Sequence, residues 1–264
     1  MSVKRGKRIM ITLVERELQL PAEMTFTPSL GSIFQGALIE HMSKDWAEKM
    51  HETGVRPYAQ YLHKKEEKIF WRIATLNDES FENIVCPIMD KNKLWLKQKG
   101  CEIGLETLNV IKETSFSSLE EKFWAGTDRI HHIDVNFLTT TSFKKNGTYC
   151  LFPETILIFN TLLRKWNTYS DSMILGESHL ENKLSDGMNI TGYRLQSRPF
   201  SLEGRRIYGF SGNLRTGLFK NDIVARMAGM LLAFSEYAGI GIKTALGMGA
   251  VKTYISYYTK EGIS

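Results

Sequence analysis

The chain has 264 residues, 42% of them apolar, with three cysteines and a formal net charge of +5. That balance excludes a disordered chain and a disulfide-stapled secreted scaffold, and it leaves a globular protein of one large or two small domains. The charge is uneven, with 19 Lys+Arg against 20 Asp+Glu in residues 1–135 but 15 against 9 in residues 136–264.

Taken in chain order, Arg8–Val14 reads as a first strand. The basic Lys4, Arg5, Lys7 and Arg8 precede an apolar run too short for a signal sequence, and Glu15 and Glu17 follow at once. After a loop with Pro21 and Pro28, the spacing of Phe34, Ala37, Leu38 and His41 predicts a helix over about Ser32–Met42. A second helix over Lys44–Glu52 stops at Gly54, and strand-like segments follow at Lys68–Ala74 and Lys93–Lys97, around a short helical stretch at Asp78–Val85. Lys91, Lys93, Lys97 and Lys99 around Trp95 suit either a strand edge guarded against pairing or a hairpin facing nucleic acid.

The second half repeats the theme. Strands are expected at Ile133–Leu138, Gly147–Phe152, Asn189–Ser197, Arg206–Asn213 and Ala250–Ser256, with helices over Glu154–Trp166 and Asn221–Tyr237. Strand, helix, strand, strand, helix, strand is the ferredoxin-like order. The expected fold is therefore α+β, two tandem ferredoxin-like (RNA-recognition-like) domains over residues 1–130 and 131–264. One continuous mixed sheet is the alternative, because the first half follows the order less clearly.

The second-half charge excess is rich in arginine (Arg194, Arg198, Arg205, Arg206, Arg215, Arg226). Guanidinium forks match phosphate oxygens and stack on bases, so a polyanionic partner is favoured. Tyr193, Tyr208, Phe210 and Phe219 are interleaved with them, and strand alternation sends some of these into the core. Cys86, Cys101 and Cys150 form no paired motif, no stretch approaches a membrane span, and a cytoplasmic protein is expected.

The run Gly239-Ile-Gly-Ile-Lys-Thr-Ala-Leu-Gly-Met-Gly-Ala250 is the densest signal. Lys243-Thr244 looks like a P-loop fragment and Gly239/Gly241 like a dinucleotide fingerprint, but those motifs follow a strand and open a helix. Here the order is helix, glycine loop, strand. Closely spaced glycines let a backbone approach a ligand and turn N–H groups toward an anion, with Lys243 at the centre; a turn that only lets two elements pack is the plainer reading.

Four strings occur in an order seen in one group: Leu30-Gly-Ser-Ile-Phe-Gln-Gly-Ala-Leu-Ile-Glu-His41, Trp46-Ala-Glu-Lys-Met-His-Glu-Thr-Gly-Val-Arg-Pro-Tyr-Ala-Gln60, Phe137-Leu-Thr-Thr-Thr-Ser-Phe143 with Gly147 to Pro153, and the glycine loop. The chain resembles the CRISPR-associated repeat-processing endoribonucleases, the Cas-six family of the RAMP superfamily, and its Gly239–Gly249 segment is especially similar to type III-A members. The resemblance implies a nuclease that cuts precursor CRISPR RNA within its repeats, with no metal or other cofactor. It also implies repeat RNA as partner, transient contact with a type III effector complex, and a monomer or homodimer.

Metal-free RNA cleavage needs a base for the 2′-hydroxyl, an acid for the leaving 5′-oxygen and a donor or cation for the phosphorane. Histidine suits the proton transfers. His51 matches the position where the family commonly carries its catalytic histidine. Gln35 stands near a second family position often occupied by histidine or tyrosine; it can donate hydrogen bonds but cannot move a proton. Arg56 is the candidate for charge stabilisation. The glycine loop (Gly239, Gly241, Lys243, Thr244, Gly247, Gly249), with Arg194 and Arg205, is expected to bind RNA. His41 shares the apolar face of its helix and reads as structural, and His131-His132 lacks a third metal ligand.

Overall fold

The computed structural model describes residues 10–52, 54–202, 204–259 and 262–263, the side chains of 51, 52, 259, 262 and 263 excepted. The first half contains β1 (Met10–Gln19), α1 (Gly31–His41), α2 (Lys44–Glu52), β2 (Tyr58–Lys65) and β3 (Lys68–Thr75). A broken helical segment follows, made of α3 (Asp78–Ser80), a π-helical turn at Phe81–Val85 and α4 (Cys86–Met89), and then β4 (Lys93–Leu96), β5 (Cys101–Leu105) and β6 (Asn109–Ser115). β1 is central. It pairs antiparallel with β3 on one side, and on the other with β6 and, at its far end, β5. With the β4–β5 hairpin set aside, the order β2-β3-β1-β6 is ferredoxin-like.

β1 runs five residues past its predicted end because alternation continues through the charged stretch. Glu15 and Glu17 share one face, while Arg16 and Leu18 turn inward and are buried. The inward face packs under α1 and α2 through Val14, Leu18, Phe34, Leu38, Trp46 and Trp71. β2, β5 and β6 are strands the residue pattern does not announce; β2 buries a glutamine, Gln60, and β6 leaves Val110 and Ile111 exposed. β4 is the sheet edge, with Trp95 exposed and Lys93 paired to Glu102 at 2.7 Å, which is the guarded-edge arrangement.

The second half contains α5 (Phe116–Trp124), β7 (Ile130–Thr141), β8 (Phe143–Lys145), β9 (Thr148–Cys150), α6 (Thr155–Tyr169), α7 (Leu180–Asp186), β10 (Asn189–Leu202), β11 (Arg205–Gly217), α8 (Asp222–Ala238), β12 (Val251–Thr259) and β13 (Gly262–Ile263). Its sheet runs β10-β11-β7-β12-β13, again ferredoxin-like, so the two halves carry separate main sheets instead of one continuous sheet. The strand expected over Gly147–Phe152 shrinks to β9 in a small hairpin with β8, and Leu151 and Phe152 are exposed. α5 is a helix the residue pattern does not announce. Ser115 caps it by accepting from Ser118 N–H, and Phe116, Leu119 and Phe123 enter the second core. That core also takes Ile11, Leu13, Ala74 and Leu76 from the reverse face of the first sheet, so one apolar cluster spans both units.

Candidate functional site

The glycine loop is wedged between the two units. Gly239, Gly241, Gly247 and Gly249 all have positive φ, and Lys243 is left-handed at φ 55°. Two of the glycines are required sterically: a Cβ on Gly241 would lie 2.3 Å from Ser142 O, and one on Gly249 2.0 Å from Ile240 O. The loop's amides are largely spent inside the protein. Ile240 N–H donates to Gly249 O, Ile242 N–H to Ser142 O, Gly249 N–H to Thr140 O and Ala250 N–H to Thr139 Oγ1. The expectation that four glycines aim amides at an anion is thereby corrected: their positive φ lets the loop fold onto β7 and α1, and Lys243 is the cation it carries.

The inner side of the loop meets the start of α1. Gln60 Nε2 donates to Gly31 O at 2.7 Å and to Ala245 O at 2.9 Å, and its own Oε1 accepts from Trp71 Nε1, so this buried amide is satisfied on both ends. A Cβ on Gly31 would strike Leu246 O at 2.6 Å. Gln35 lies one helical turn further along α1 and donates from Nε2 to Tyr58 Oη at 3.4 Å.

Tyr58 is completely buried, and burial raises its hydroxyl pKa, opposed by the Gln35 bond and the positive charge of Arg56. Tyr169, the last residue of α6, donates its hydroxyl to Val55 O; burial pushes it up to about 12, again against Arg56. Gln35, Tyr58, Arg56 and Tyr169 thus form one corner just beyond the end of α2. Both phenols stay protonated near neutrality; Tyr169 donates to Val55 O, while Tyr58 accepts from Gln35. His51 sits in the last turn of α2, and its side chain lies outside the described residues. Within this corner the described side chains supply hydrogen bonds and positive charge, the two means of stabilising a phosphorane. His41 is tied to its own helix, Nδ1 lying 2.8 Å from Ala37 O.

The outer side of the loop opens onto a groove of about 620 Å³ lined by Tyr149, Leu202, Arg205, Arg206, Ile207 and Lys243. Lys243 and Arg205, two of the expected RNA-binding residues, therefore come together, joined by Arg206 and a half-open tyrosine ring. Arg194 does not line this groove; it is exposed on β10 opposite Asn213. Two other arginines are committed elsewhere, Arg215 in a two-pronged bond to Asp134 (2.7 and 2.8 Å) and Arg226 with Asp222 and the carbonyls of Phe123 and Gly126. The interleaved aromatics divide between surface and core, although Tyr208 and Phe210 stand two residues apart on β11, where strict alternation would give them one face; the β11–β7 register shifts next to Phe210. Tyr193 and Tyr208 are exposed, Tyr193 edge-on to Phe152 at 5.5 Å, while Phe210 is core and Phe219 packs against it.

Residue patterns did not disclose Tyr58, Tyr169, Gln60 or Lys165. Lys165 Nζ donates to Ala238 O and, at 2.7 Å, to Thr244 Oγ1. Only Tyr58 carried a local hint, through its position two residues after Arg56.

The sequence model described as CRISPR-associated endoribonuclease Cas6 matches residues 135–251. The CRISPR-associated endoribonuclease Cas6 of Mycobacterium tuberculosis is 30% identical over 250 residues, covering 93% of this chain and 77% of that protein. The Streptococcus thermophilus protein of the same name is 29% identical over 219 residues, covering 83% of this chain and 89% of its own. Among solved structures, a Cas6 product complex matches at a TM-score of 0.76 and 17% identity, covering 93% of this chain and 100% of that one, a likeness of fold.

Proposed function

The chain belongs to the Cas6 family of CRISPR-associated endoribonucleases, and on that premise we propose that it cuts precursor CRISPR RNA within its repeats without a metal. In this reading the RNA's own 2′-hydroxyl attacks the adjacent phosphate, leaving a 2′,3′-cyclic (or 3′) phosphate and a 5′-hydroxyl. His51 transfers protons, Arg56 neutralises charge on the phosphorane, and Gln35 orients a phosphate oxygen. The guide RNA released is then handed to a type III effector complex.

The observation that carries the reading is the continuity of the two sides of the glycine loop. Its outer side bears Lys243 beside Arg205 and Arg206, and its inner side packs on α1 one turn before Gln35. RNA phosphates in the cationic groove would therefore lie next to the helix that lines the cleavage corner. Arg194, on the neighbouring face of the long β10–β11 hairpin, extends the cationic surface along the strand. No helix among the described residues is long and apolar enough to cross a membrane.

The test is cleavage of end-labelled cognate repeat RNA in EDTA by the native protein and by His51→Ala, with a 2′-deoxy substitution at the cut site as control. The expected outcome is cutting by the native protein, none of the deoxy RNA, and a rate at least 100-fold lower in the variant, on the order of a lost general acid–base. A second reading, guide-RNA holding without cutting, draws support from Gln35, which donates hydrogen bonds but moves no proton. Tight repeat binding with no cleavage would select it.

A further inference from the structure

Lys165 is a buried lysine of the second unit whose ammonium meets no carboxylate among the described residues. It lies on α6, 6% exposed, and donates from Nζ to Ala238 O, the last carbonyl of α8, and to Thr244 Oγ1 in the short 3-10 turn of the glycine loop. A helix C-terminus attracts a cationic or N–H donor. Thr244 in turn fills the middle of the loop: its methyl carbon is 2.7 Å from where a Cβ on Gly239 would stand and 3.2 Å from one on Gly249. Lys165 therefore grips the loop at the residue around which its two glycine pairs close, next to Lys243.

One turn further along the same face of α6, Tyr169 donates to Val55 O, the peptide that leads into Arg56. The same helix thus reaches the RNA-holding loop with one side chain and the cleavage corner with another. Lys165 is buried and Tyr169 partly buried, both donate to backbone or hydroxyl acceptors, and neither lines the cationic groove.

We propose that Lys165 and Tyr169 are positioning residues for RNA cleavage, Lys165 fixing the glycine loop and its groove and Tyr169 fixing the segment that presents Arg56. The proposal rests on the RNA-cleaving reading above. The two hydrogens of a neutral amine match its two acceptors, and burial, with the charge of Arg164 adding, brings the Lys165 ammonium down to about 7. The grip therefore survives loss of the proton.

The experiment separates binding from cutting in the full-length protein. Kd is measured for cognate repeat RNA made uncleavable by a 2′-deoxy at the cut site, and the single-turnover rate is measured for the all-ribose RNA at saturating protein. Lys165→Met is expected to raise Kd about tenfold and leave the saturated rate within about threefold, the loss of two buried donors. Tyr169→Phe is expected to lower the saturated rate about tenfold and leave Kd within about twofold. If Lys165→Met does not fold, Thr244→Val removes the same contact and is expected to raise Kd about fivefold. The proposal is overturned by unchanged values in both variants, by the reverse split, or by losses that appear only as a smaller active fraction. A native protein that neither binds nor cuts this RNA would instead sink the functional reading, and the proposal with it.

Discussion

Arg16 in the first unit and Lys165 in the second are both cations taken out of water, and they are satisfied in opposite ways. Arg16, 4% exposed, gives its guanidinium to four carbonyls, those of Ile88, Met89, Lys91 and Glu106. Burial pulls its pKa down, with the charge of Asp90 opposing, but a guanidinium stays protonated throughout the accessible range. It knits the α4 end and the turn before β6 to the central strand, and none of these four partners belongs to the glycine loop. Among the described residues Lys165 has two acceptors and no carboxylate, so its charge is expendable. A buried cation thus serves as fixed architecture where it has a full set of carbonyls, and as an adjustable grip where it has only as many acceptors as a neutral amine has hydrogens.

The largest expected effect lies on the Arg16 side. Arg16→Met removes the guanidinium from four carbonyls, of which Ile88 O keeps a bond from Lys91 N–H, and should cost about 4 kcal/mol in urea unfolding, at every pH between 6 and 9. RNA affinity of the folded fraction should stay at the native value; a variant that folds normally but binds RNA poorly would erase the contrast.

The glycine loop can be attacked from its other side. Gly241→Ala puts a methyl 2.3 Å from Ser142 O at φ +85°, which should cost about 3 kcal/mol by thermal or denaturant unfolding. A native-like melting curve would show that the loop yields more readily than its contacts imply.

Lys165 should reveal itself through pH. Its pKa is about 7 in the folded chain and ordinary, 10.5, when unfolded. Above pH 7 the unfolded chain therefore binds more protons, and stability should rise with pH between about 7 and 10 by up to about 1.4 kcal/mol per unit from this group. Below pH 7 both states are protonated and the slope vanishes. Lys165→Met should remove the rise, as read from urea midpoints at pH 7, 8 and 9; an equal slope in the variant would assign it to another group.

The smallest stability effects belong to the solvent side of the loop. Lys243→Ala and Arg205→Ala should each leave unfolding within about 0.5 kcal/mol of native, because both side chains border an open groove. Each should lower the slope of log Kd for repeat RNA against log salt by roughly 0.7 to 0.9, one phosphate contact apiece. Arg194→Ala, outside that groove, tests whether the hairpin surface joins the same track. An unchanged salt slope for all three would remove the groove from the RNA path.

Much of the helical framework was legible locally. The apolar spacing in Ser32–Met42 and Asn221–Tyr237 matches α1 and α8 to within a residue at each end, because an amphipathic period belongs to the segment that carries it. The glycine loop and the order of four motifs along the chain were equally readable, since both are matters of residue identity and spacing. Tertiary structure alone decided that the polar run at Tyr58–Lys65 pairs as β2 and that Phe116–Trp124 forms α5 against the second core, because their burial depends on partners distant in sequence. It also decided that the loop's amides turn inward, and that Lys165 and Tyr169 leave solvent to brace the two sides of the site. A lysine or a tyrosine on a helix looks solvated in sequence. Which one is desolvated, and onto which carbonyl it settles, is set by the packing of elements more than fifty residues apart.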